Sequence, residues 1–193
     1  MVREKIAQAK EILREENIDL WLTFVRESEV TNDPVLDLIL GANCTWHSAF
    51  MIPAEGDPVA IVGSLDQARI RETGAYDVIG YKQSIKDDLV TQMNRFSPAK
   101  IAINSSENDV MSDGLTHGLY LSLQKYLAGT PYGERLVSAE GVISKLRGRK
   151  SESGTVGRVS APDIEPVIIK GLRGILPDQA FSDLADPDLV RRV

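Results

Sequence analysis

Residues 18–25 read Ile-Asp-Leu-Trp-Leu-Thr-Phe-Val, a nearly continuous apolar stretch rich in residue types that favour β-strands. A strand with one solvent-exposed face alternates apolar and polar side chains, whereas a strand covered on both faces is apolar throughout. The stretch therefore predicts an interior strand of a sheet with helices on both sides. The preceding residues 3–17 carry apolar side chains at spacings of three and four, which predicts an amphipathic helix.

A β-hairpin is predicted next. Residues 44–52 read Cys-Thr-Trp-His-Ser-Ala-Phe-Met-Ile and predict a strand, and after a turn rich in Pro, Gly and Asp, residues 59–62 return as its partner. Helices and strands then alternate, with predicted helices at 65–73, 85–96, 115–127 and 139–146 and predicted strands at 77–81, 100–104 and 135–137. This order predicts an α/β domain of three layers, in which helices flank a mixed β-sheet.

A short helix is predicted between the first strand and the hairpin. Residues 32–34, Asn-Asp-Pro, supply a polar cap and a proline suited to the first turn, and Gly41 marks the end. Four carboxylates flank this start: Glu27, Glu29, Asp33 and Asp37. One interpretation is a solvated loop whose carboxylates cap the helix. The other is a loop that recognises a cationic group or a peptide amino terminus at a subunit interface.

The net charge of −6 argues against nucleic acid as a partner, because phosphate backbones repel an acidic surface that lacks a segregated basic stripe. The dense basic run of Lys145, Arg147, Arg149 and Lys150 lies at the end of a predicted helix. Cations interact favourably with the dipole at a helix carboxyl terminus, so a solvated helix end is the preferred interpretation.

Membrane insertion and secretion are not indicated. No apolar run approaches the roughly 20 residues that span a bilayer, and residues 1–8 lack the apolar centre of a signal peptide. The single cysteine, Cys44, cannot form an internal disulfide, in agreement with a reducing compartment. We therefore expect a cytoplasmic protein.

Three stretches of the sequence, taken in order, carry a family resemblance. Residues 16–22 read Glu-Asn-Ile-Asp-Leu-Trp-Leu, residues 38–41 read Leu-Ile-Leu-Gly and residues 48–53 read Ser-Ala-Phe-Met-Ile-Pro before a Gly-Asp-Pro turn. Residues 143–151 read Ile-Ser-Lys-Leu-Arg-Gly-Arg-Lys-Ser. Together they resemble the amino-terminal domain of the creatinase/prolidase/aminopeptidase P metallopeptidases. The chain departs from that family at residues 153–157, Ser-Gly-Thr-Val-Gly, where the family begins a helix.

The resemblance implies that residues 1–150 form a creatinase/prolidase N-terminal-like accessory domain. It implies that residues 151–193 are a linker or the truncated start of a catalytic domain. The chain is then expected to be non-catalytic, to provide dimer contacts and to cap the active site of an Xaa-Pro peptidase or creatinase-like metallohydrolase. Expected partners are a second copy or a catalytic domain or subunit, with a peptide as the parent enzyme's substrate. The family's two divalent ions, Mn, Co or Zn, are held by the catalytic domain.

The sequence itself offers no catalytic residue and no metal-ligand set. His47 and His117 are the two histidines, and they lie on different predicted elements without the His-x-x-x-His or Cys-x-x-Cys spacing of zinc sites. A Gly-x-Ser-x-Gly elbow and the glycine spacing of a nucleotide-binding loop are also missing from the sequence. We expect the chain to hold no metal ion and to be inactive on its own.

Arg26, Trp46 and His47 are the candidate substrate-cap residues. The resemblance implies that the accessory domain covers a neighbouring subunit's active site, where polar and aromatic side chains can touch substrate. The competing interpretation is structural, since alternation along a strand would place one of Trp46 and His47 in the core and the other in solvent. Alternation would also separate Cys44 from His47, which favours a buried free cysteine over a thiolate nucleophile.

A function of a different class stays open. An α/β domain can act alone as a binding or scaffold module, with a small-molecule cleft at the carboxyl ends of its strands. An accessory domain is expected to expose an apolar patch where its partner docks, whereas a self-sufficient binder is expected to have a concave pocket.

Overall fold

The structure of the protein is a computed structural model that describes residues 1–31 and 33–150. The expectation of a linker or truncated catalytic domain at residues 151–193 lies outside the described residues. No helix within them is long and apolar enough to cross a membrane.

Helices and strands alternate through most of the described chain. The helices are α1 (Val2–Glu15), α2 (Leu36–Ile39), α3 (Gln67–Glu72), α4 (Lys86–Phe96), α5 (His117–Leu127) and α6 (Glu140–Gly148), with a 3-10 helix at Pro131–Glu134. The strands are β1 (Leu20–Val25), β2 (Ser48–Pro53), β3 (Val59–Gly63), β4 (Asp77–Tyr81), β5 (Ile101–Ile103) and β6 (Leu136–Ser138).

The strands form one mixed sheet with the order β4-β3-β2-β1-β5-β6. β1 pairs in parallel with β5, β5 with β6 and β3 with β4, whereas β2 runs antiparallel to β1 and β3. The other strands therefore point the same way, and their carboxyl ends meet the amino end of β2 along one edge, which we call the carboxyl edge. The predicted α/β fold with a mixed sheet and a hairpin is confirmed.

β1 lies at the centre of the sheet, as its unbroken apolar sequence predicts, and all of its residues are buried. Trp21 and Val25 pack into the core that α1 and α6 cover. Leu20, Leu22 and Phe24 pack into the core on the opposite face, with residues of α4 and α5. The sheet thus has helices on both faces, which gives the three predicted layers.

The basic run lies at the carboxyl end of α6, as predicted, with Lys145, Arg147 and Lys150 exposed and Arg149 half-buried. The guanidinium of Arg149 bridges two carboxylates of α1, at 2.8 Å from Glu11 and 2.5 Å from Glu15. The buried Lys5 of α1 also donates to the carbonyl of Leu146 at 2.9 Å, which gives one of the last carbonyls of α6 a partner. Contacts with α1 therefore fix the carboxyl end of α6.

The strand predicted from residue 44 is shorter in the structure, where β2 begins at Ser48. The residues before it form a loop, because the N–H of Thr45 donates to a carboxylate oxygen of Asp66 at 2.9 Å rather than to a neighbouring strand. Side-chain acceptors of this kind compete with ladder pairing and leave no periodic signal in the sequence. Strand alternation therefore does not describe the loop before Ser48.

Candidate functional site

The carboxyl edge carries two clefts. The first lies where β1 and β4 end and the loop before β2 begins, and its volume is about 330 Å³. We call it the aromatic cleft, and its lining residues are Arg26, Glu27, Thr45, Trp46, His47, Tyr81, Lys82 and Gln83. All three candidate cap residues from the sequence analysis therefore line one cleft.

His47 is held between two aromatic side chains. Its ring stacks on Phe24 of β1, with centroids 5.6 Å apart and an interplanar angle of 15°, and meets Tyr126 of α5 edge-on at 5.9 Å. The Nε2 atom is buried, with no hydrogen-bond partner among the described residues. Burial, followed by the positive charge of Arg26, lowers the pKa of His47 from the usual 6.5. The imidazole is therefore neutral at pH 7.

Trp46 is half-buried and supplies a second aromatic wall. Its ring packs against Tyr81 of β4 at a centroid distance of 5.8 Å and lies over Gly63 at the end of β3. A Cβ atom at Gly63 would come within 2.7 Å of the ring carbon Cε3. The glycine therefore leaves the space that the indole occupies. The alternation expected for Trp46 and His47 is wrong, since both are half-buried.

Tyr81 contacts both Trp46 and His47. Its hydroxyl donates to the carbonyl oxygen of His47 at 2.9 Å, and its side chain is 7% exposed. Burial, with smaller contributions from Tyr126 and Asp66, raises the pKa of Tyr81 to about 12. The hydroxyl therefore stays protonated at neutral pH and keeps its role as donor.

The rim of the aromatic cleft carries charges of both signs. Arg26 and Lys82 are exposed cations, and Glu27 is an exposed carboxylate. The N–H of Glu27 donates to the carbonyl of Thr45 at 3.0 Å, which ties the loop after β1 to the loop before β2. Aromatic faces beside two exposed cations suit a ligand or partner that carries an apolar group next to a negative charge.

Cys44, just before the cleft residues in sequence, is a buried free thiol, as predicted. Burial raises its pKa to about 12, so the thiol is protonated at neutral pH. It is accordingly a packing residue rather than a nucleophile.

The second cleft lies beyond the carboxyl ends of β5 and β6, with a volume of about 850 Å³. We call it the acidic cleft, because Glu107, Asp113 and Glu140 line it and its lining includes no Lys or Arg. Ser106 Oγ donates to Glu140 Oε2 at 2.6 Å and orients that carboxylate. The cleft occupies the position at which small molecules bind in many open α/β sheets.

Asn104, the first residue after β5, is the centre of a buried polar network. Trp21 Nε1 donates to its Oδ1 at 2.7 Å, and its Nδ2 donates to Asp33 Oδ2 at 2.8 Å. Asp33 Oδ1 also accepts from the N–H of Val35 at 3.0 Å. Burial raises the pKa of the Asp33 carboxyl, although the two hydrogen bonds act in the opposite direction. A solvated loop is therefore the wrong interpretation for Asp33.

The described residues do not fit the two-metal site that the resemblance assigns to the catalytic domain. Across residues 1–31 and 33–150, no three His, Cys, Asp or Glu side chains form a group that could hold a metal ion.

Exposed apolar side chains do not separate the two hypotheses of function. Val30 is 82% exposed and follows the cleft residue Glu27 in the loop after β1. Leu65 is 74% exposed and precedes Asp66, whose carboxylate accepts from the N–H of Thr45. Val110 and Leu121, at 79% and 54%, belong to the loop and helix that contribute to the acidic cleft. Isolated exposed apolar residues are common on protein surfaces and do not by themselves mark a docking patch.

Comparison with known proteins identifies the fold. No protein-family model matches the sequence, and no curated protein matches it. The Xaa-Pro dipeptidase from Bacillus anthracis is similar in structure, with a TM-score of 0.57 and 17% identity over 79% of this chain. The X-Pro aminopeptidase from Thermotoga maritima has a TM-score of 0.57 and 15% identity over 77% of it. The chain spans 38% and 37% of the length of these two proteins.

Solved single domains match over nearly their whole length. The creatinase/prolidase N-terminal domain of an X-Pro dipeptidase from Streptococcus pyogenes has a TM-score of 0.54 and 14% identity, and the match covers 75% of this chain and 98% of that one. Identities at this level establish the fold alone. The chain has the fold of creatinase/prolidase N-terminal domains, as the sequence resemblance predicted.

Tyr81 and Lys82 also line the aromatic cleft, and neither was predicted from the sequence as a site residue. A signal was available, because β4 was predicted at the correct residues and runs parallel to β3, so its last residue had to lie at the carboxyl edge. What the sequence lacked was the order of the strands, which brings the end of β4 close to the start of β2.

Proposed function

We propose that this chain is a non-catalytic accessory domain of an Xaa-Pro peptidase or creatinase-like metallohydrolase. In this role the aromatic cleft covers the active site of a catalytic partner domain or subunit, and Arg26, Trp46 and His47 form its substrate-facing wall. The partner is either a catalytic polypeptide or the catalytic part of a second copy, with which the chain forms a dimer. Residues 1–150 constitute the accessory domain in this proposal.

One observation carries the proposal: the three residues selected from the sequence come from two separate loops and line one cleft at the carboxyl edge. Arg26 and Trp46 are the stronger candidates for direct contact, since Arg26 is exposed and Trp46 half-buried. The buried Nε2 of His47 faces no ligand, and His47 supports the wall through the stacking of its imidazole on Phe24 and through its backbone carbonyl, which accepts from Tyr81. The fold shared with N-terminal domains of Xaa-Pro peptidases supports the class of partner.

Site-specific photo-crosslinking tests the docking of the aromatic cleft. A benzoylphenylalanine residue is placed at Gln83, which lines the cleft and is exposed, and in a control protein at Glu55, which is exposed in the β2–β3 turn at the other edge of the sheet. In an extract of the source cells, we expect Gln83 to crosslink to a metal-dependent peptidase or to a second copy of the chain. Equal products from both positions, or neither product from Gln83, would contradict the proposal.

Kinetics of the purified complex test the role of the wall. We expect Arg26→Ala and Trp46→Ala to raise KM for Xaa-Pro dipeptides by several-fold with little change in kcat, because they remove contacts made equally with substrate and transition state. Arg71→Ala is the matched control, since Arg71 is an exposed residue of α3 that lies outside the aromatic cleft and whose guanidinium donates to the carbonyl of Val78 at 3.4 Å. An unchanged KM in both Arg26→Ala and Trp46→Ala would contradict the proposal that these residues face the substrate.

The acidic cleft favours a second candidate function, that of a stand-alone small-molecule-binding or scaffold module. Its volume is within the range of ligand sites, and the carboxylates of Glu107, Asp113 and Glu140 would select a cationic ligand. Benzylamine and the neutral benzyl alcohol form a matched pair of probes. Amide NMR shifts at this cleft with benzylamine alone, abolished in Glu140→Gln, would support this function, and equal or no response to both probes would exclude it.

A further inference from the structure

Residues 45–47 form a tripeptide that is held at both ends by one supporting unit, β3-α3-β4. At the first end, the N–H of Thr45 donates to Asp66 Oδ2 at 2.9 Å, and Asp66 is 3% exposed. At the other end, the carbonyl of His47 accepts from the hydroxyl of Tyr81 at 2.9 Å. Both supports are buried polar groups whose bonds lie outside the strand ladder.

The middle of the tripeptide is held by shape and by one hydrogen bond, which Ser48 Oγ donates to the carbonyl of Trp46 at 3.1 Å. The indole of Trp46 lies over Gly63, which is the register partner of Tyr81 in the β3–β4 pair. Because Gly63 has no side chain, the rings of Trp46 and Tyr81 can approach across it to 5.8 Å. The carboxylate, the glycine and the tyrosine thus act on three successive residues of the aromatic cleft.

We propose that Tyr81 and Asp66 are positioning residues that fix the orientation of Trp46 in the wall of the aromatic cleft. Each acts on the backbone of the tripeptide rather than on a ligand. Removing either bond takes one hydrogen bond from an end of the tripeptide, although Thr45 keeps the bond from the N–H of Glu27 to its carbonyl. We expect the indole then to sample orientations other than the present one, which is tilted by 43° to the ring of Tyr81. The functional meaning of this arrangement rests on the capping role proposed above, but the structural effect does not.

Fluorine NMR tests the proposal without an activity assay. The chain has two tryptophans, so protein labelled with 5-fluorotryptophan gives one signal from Trp21 and one from Trp46, and Trp46→Phe assigns them. We expect Tyr81→Phe to shift or broaden the Trp46 signal and to leave the signal of the buried Trp21 in place. Persistence of the Trp21 signal also reports that the domain is folded.

Tyr76→Phe is the matched control. Tyr76 makes a bond of the same kind, from its hydroxyl to the carbonyl of Ile39 at 2.8 Å, and it does not line the aromatic cleft. The proposal predicts that this variant leaves the Trp46 signal unchanged. A Trp46 signal that responds equally to both substitutions, or to neither, would overturn the role of Tyr81.

Asp66→Asn tests the other end of the tripeptide in the same experiment and decides the outcome if Tyr81→Phe fails to fold. We expect the Trp46 signal to move, because an amide can replace only part of the bonding that the carboxylate gives to the N–H and hydroxyl of Thr45. An unmoved signal in folded Asp66→Asn would overturn the proposal. If these signals move but KM of a partner peptidase does not, the positioning role stands and the capping function fails.

Discussion

The aromatic cleft and the acidic cleft lie at the carboxyl edge of the same sheet but are lined by different types of side chain. In the aromatic cleft, stacked rings and hydrogen bonds to the backbone hold the lining in place, with His47 between Phe24 and Tyr126. In the acidic cleft, the charged lining residues are carboxylates, of which Glu140 is oriented by Ser106. The aromatic cleft is the smaller of the two, at about 330 Å³. The acidic cleft is larger, at about 850 Å³, and its charged residues are acidic.

This difference indicates which cleft suits which task. A wall that must present an aromatic side chain to another molecule needs fixed geometry, because ordering a side chain on binding reduces affinity. A groove that exchanges small cations needs charge and access more than rigidity. The proposed capping role therefore suits the aromatic cleft better than the acidic cleft. The following predictions test whether the two clefts are as independent as that proposal requires.

The largest effect is expected at the buried network of Asn104. Asp33→Ala removes the acceptor of both the Asn104 amide and the N–H of Val35, and leaves buried donors without partners. We expect the free energy of unfolding to fall by about 3 kcal/mol, measured by urea denaturation. The control is Asp37→Ala on the exposed side of the same acidic segment, for which less than about 0.5 kcal/mol is expected. Equal losses would contradict the structural role of Asp33.

Gly63→Ala is expected to displace Trp46 in the aromatic cleft and to leave the acidic cleft unchanged. The new Cβ would lie 2.7 Å from a ring carbon of Trp46, and overpacking of this kind lowers the free energy of unfolding by about 2 kcal/mol. Gly118→Ala, in α5 near the acidic cleft, meets open space and should stabilise the helix slightly. Urea denaturation of both variants tests the contrast, and a neutral Gly63→Ala would refute the close packing of Trp46.

Glu140→Ala is the corresponding change in the acidic cleft. It removes the acceptor of a partly buried hydrogen bond from Ser106, and we expect a loss of about 1 kcal/mol in urea denaturation. The NMR titration of His47 should be unaffected if the clefts are independent. A changed His47 pKa in Glu140→Ala would show that the two clefts are coupled. Glu134→Ala, which removes an exposed carboxylate, is the control for both measurements.

The smallest effect is expected from the protonation of His47. Folding lowers its pKa, so the folded chain binds fewer protons than the unfolded chain as the pH falls. Its contribution to stability is therefore complete above the unfolded pKa of 6.5 and is lost as the pH falls toward the lower folded value. We expect His47→Gln to weaken the decline in urea midpoint between pH 7 and pH 5. His117→Gln, which removes the exposed histidine of α5, is the control. A decline in His47→Gln that is no weaker than in this control would contradict this account.

Local patterns predicted the elements well where burial is continuous or periodic. The apolar run of β1 predicted a central strand, and the spacing in residues 3–17 predicted α1. The loop at residues 44–47 escaped prediction because its residue types favour strands, while the contact that decides it comes from Asp66. The β-propensity of residues 44–47 favours a strand, but the hydrogen bond to Asp66, which is distant in sequence, holds them in a loop.

The candidate site shows the same limit. Arg26, Trp46 and His47 were selected because of the family resemblance, and no spacing between them predicted a common cleft. Burial of Asp33 also could not be predicted, since its partner Asn104 lies 71 residues away in the sequence. Contacts of this range depend on the order of the strands, which the alternation of helices and strands leaves undetermined.

A peptidase assay of the purified chain tests the central claim most directly. Xaa-Pro dipeptides and tripeptides are offered with Mn²⁺ or Co²⁺, and the metal content of the same sample is measured. Because the proposed function places the catalytic residues in the partner, we expect no turnover and no stoichiometric metal. Metal-dependent turnover that persists through purification to homogeneity would contradict this proposal and would identify the chain as an enzyme.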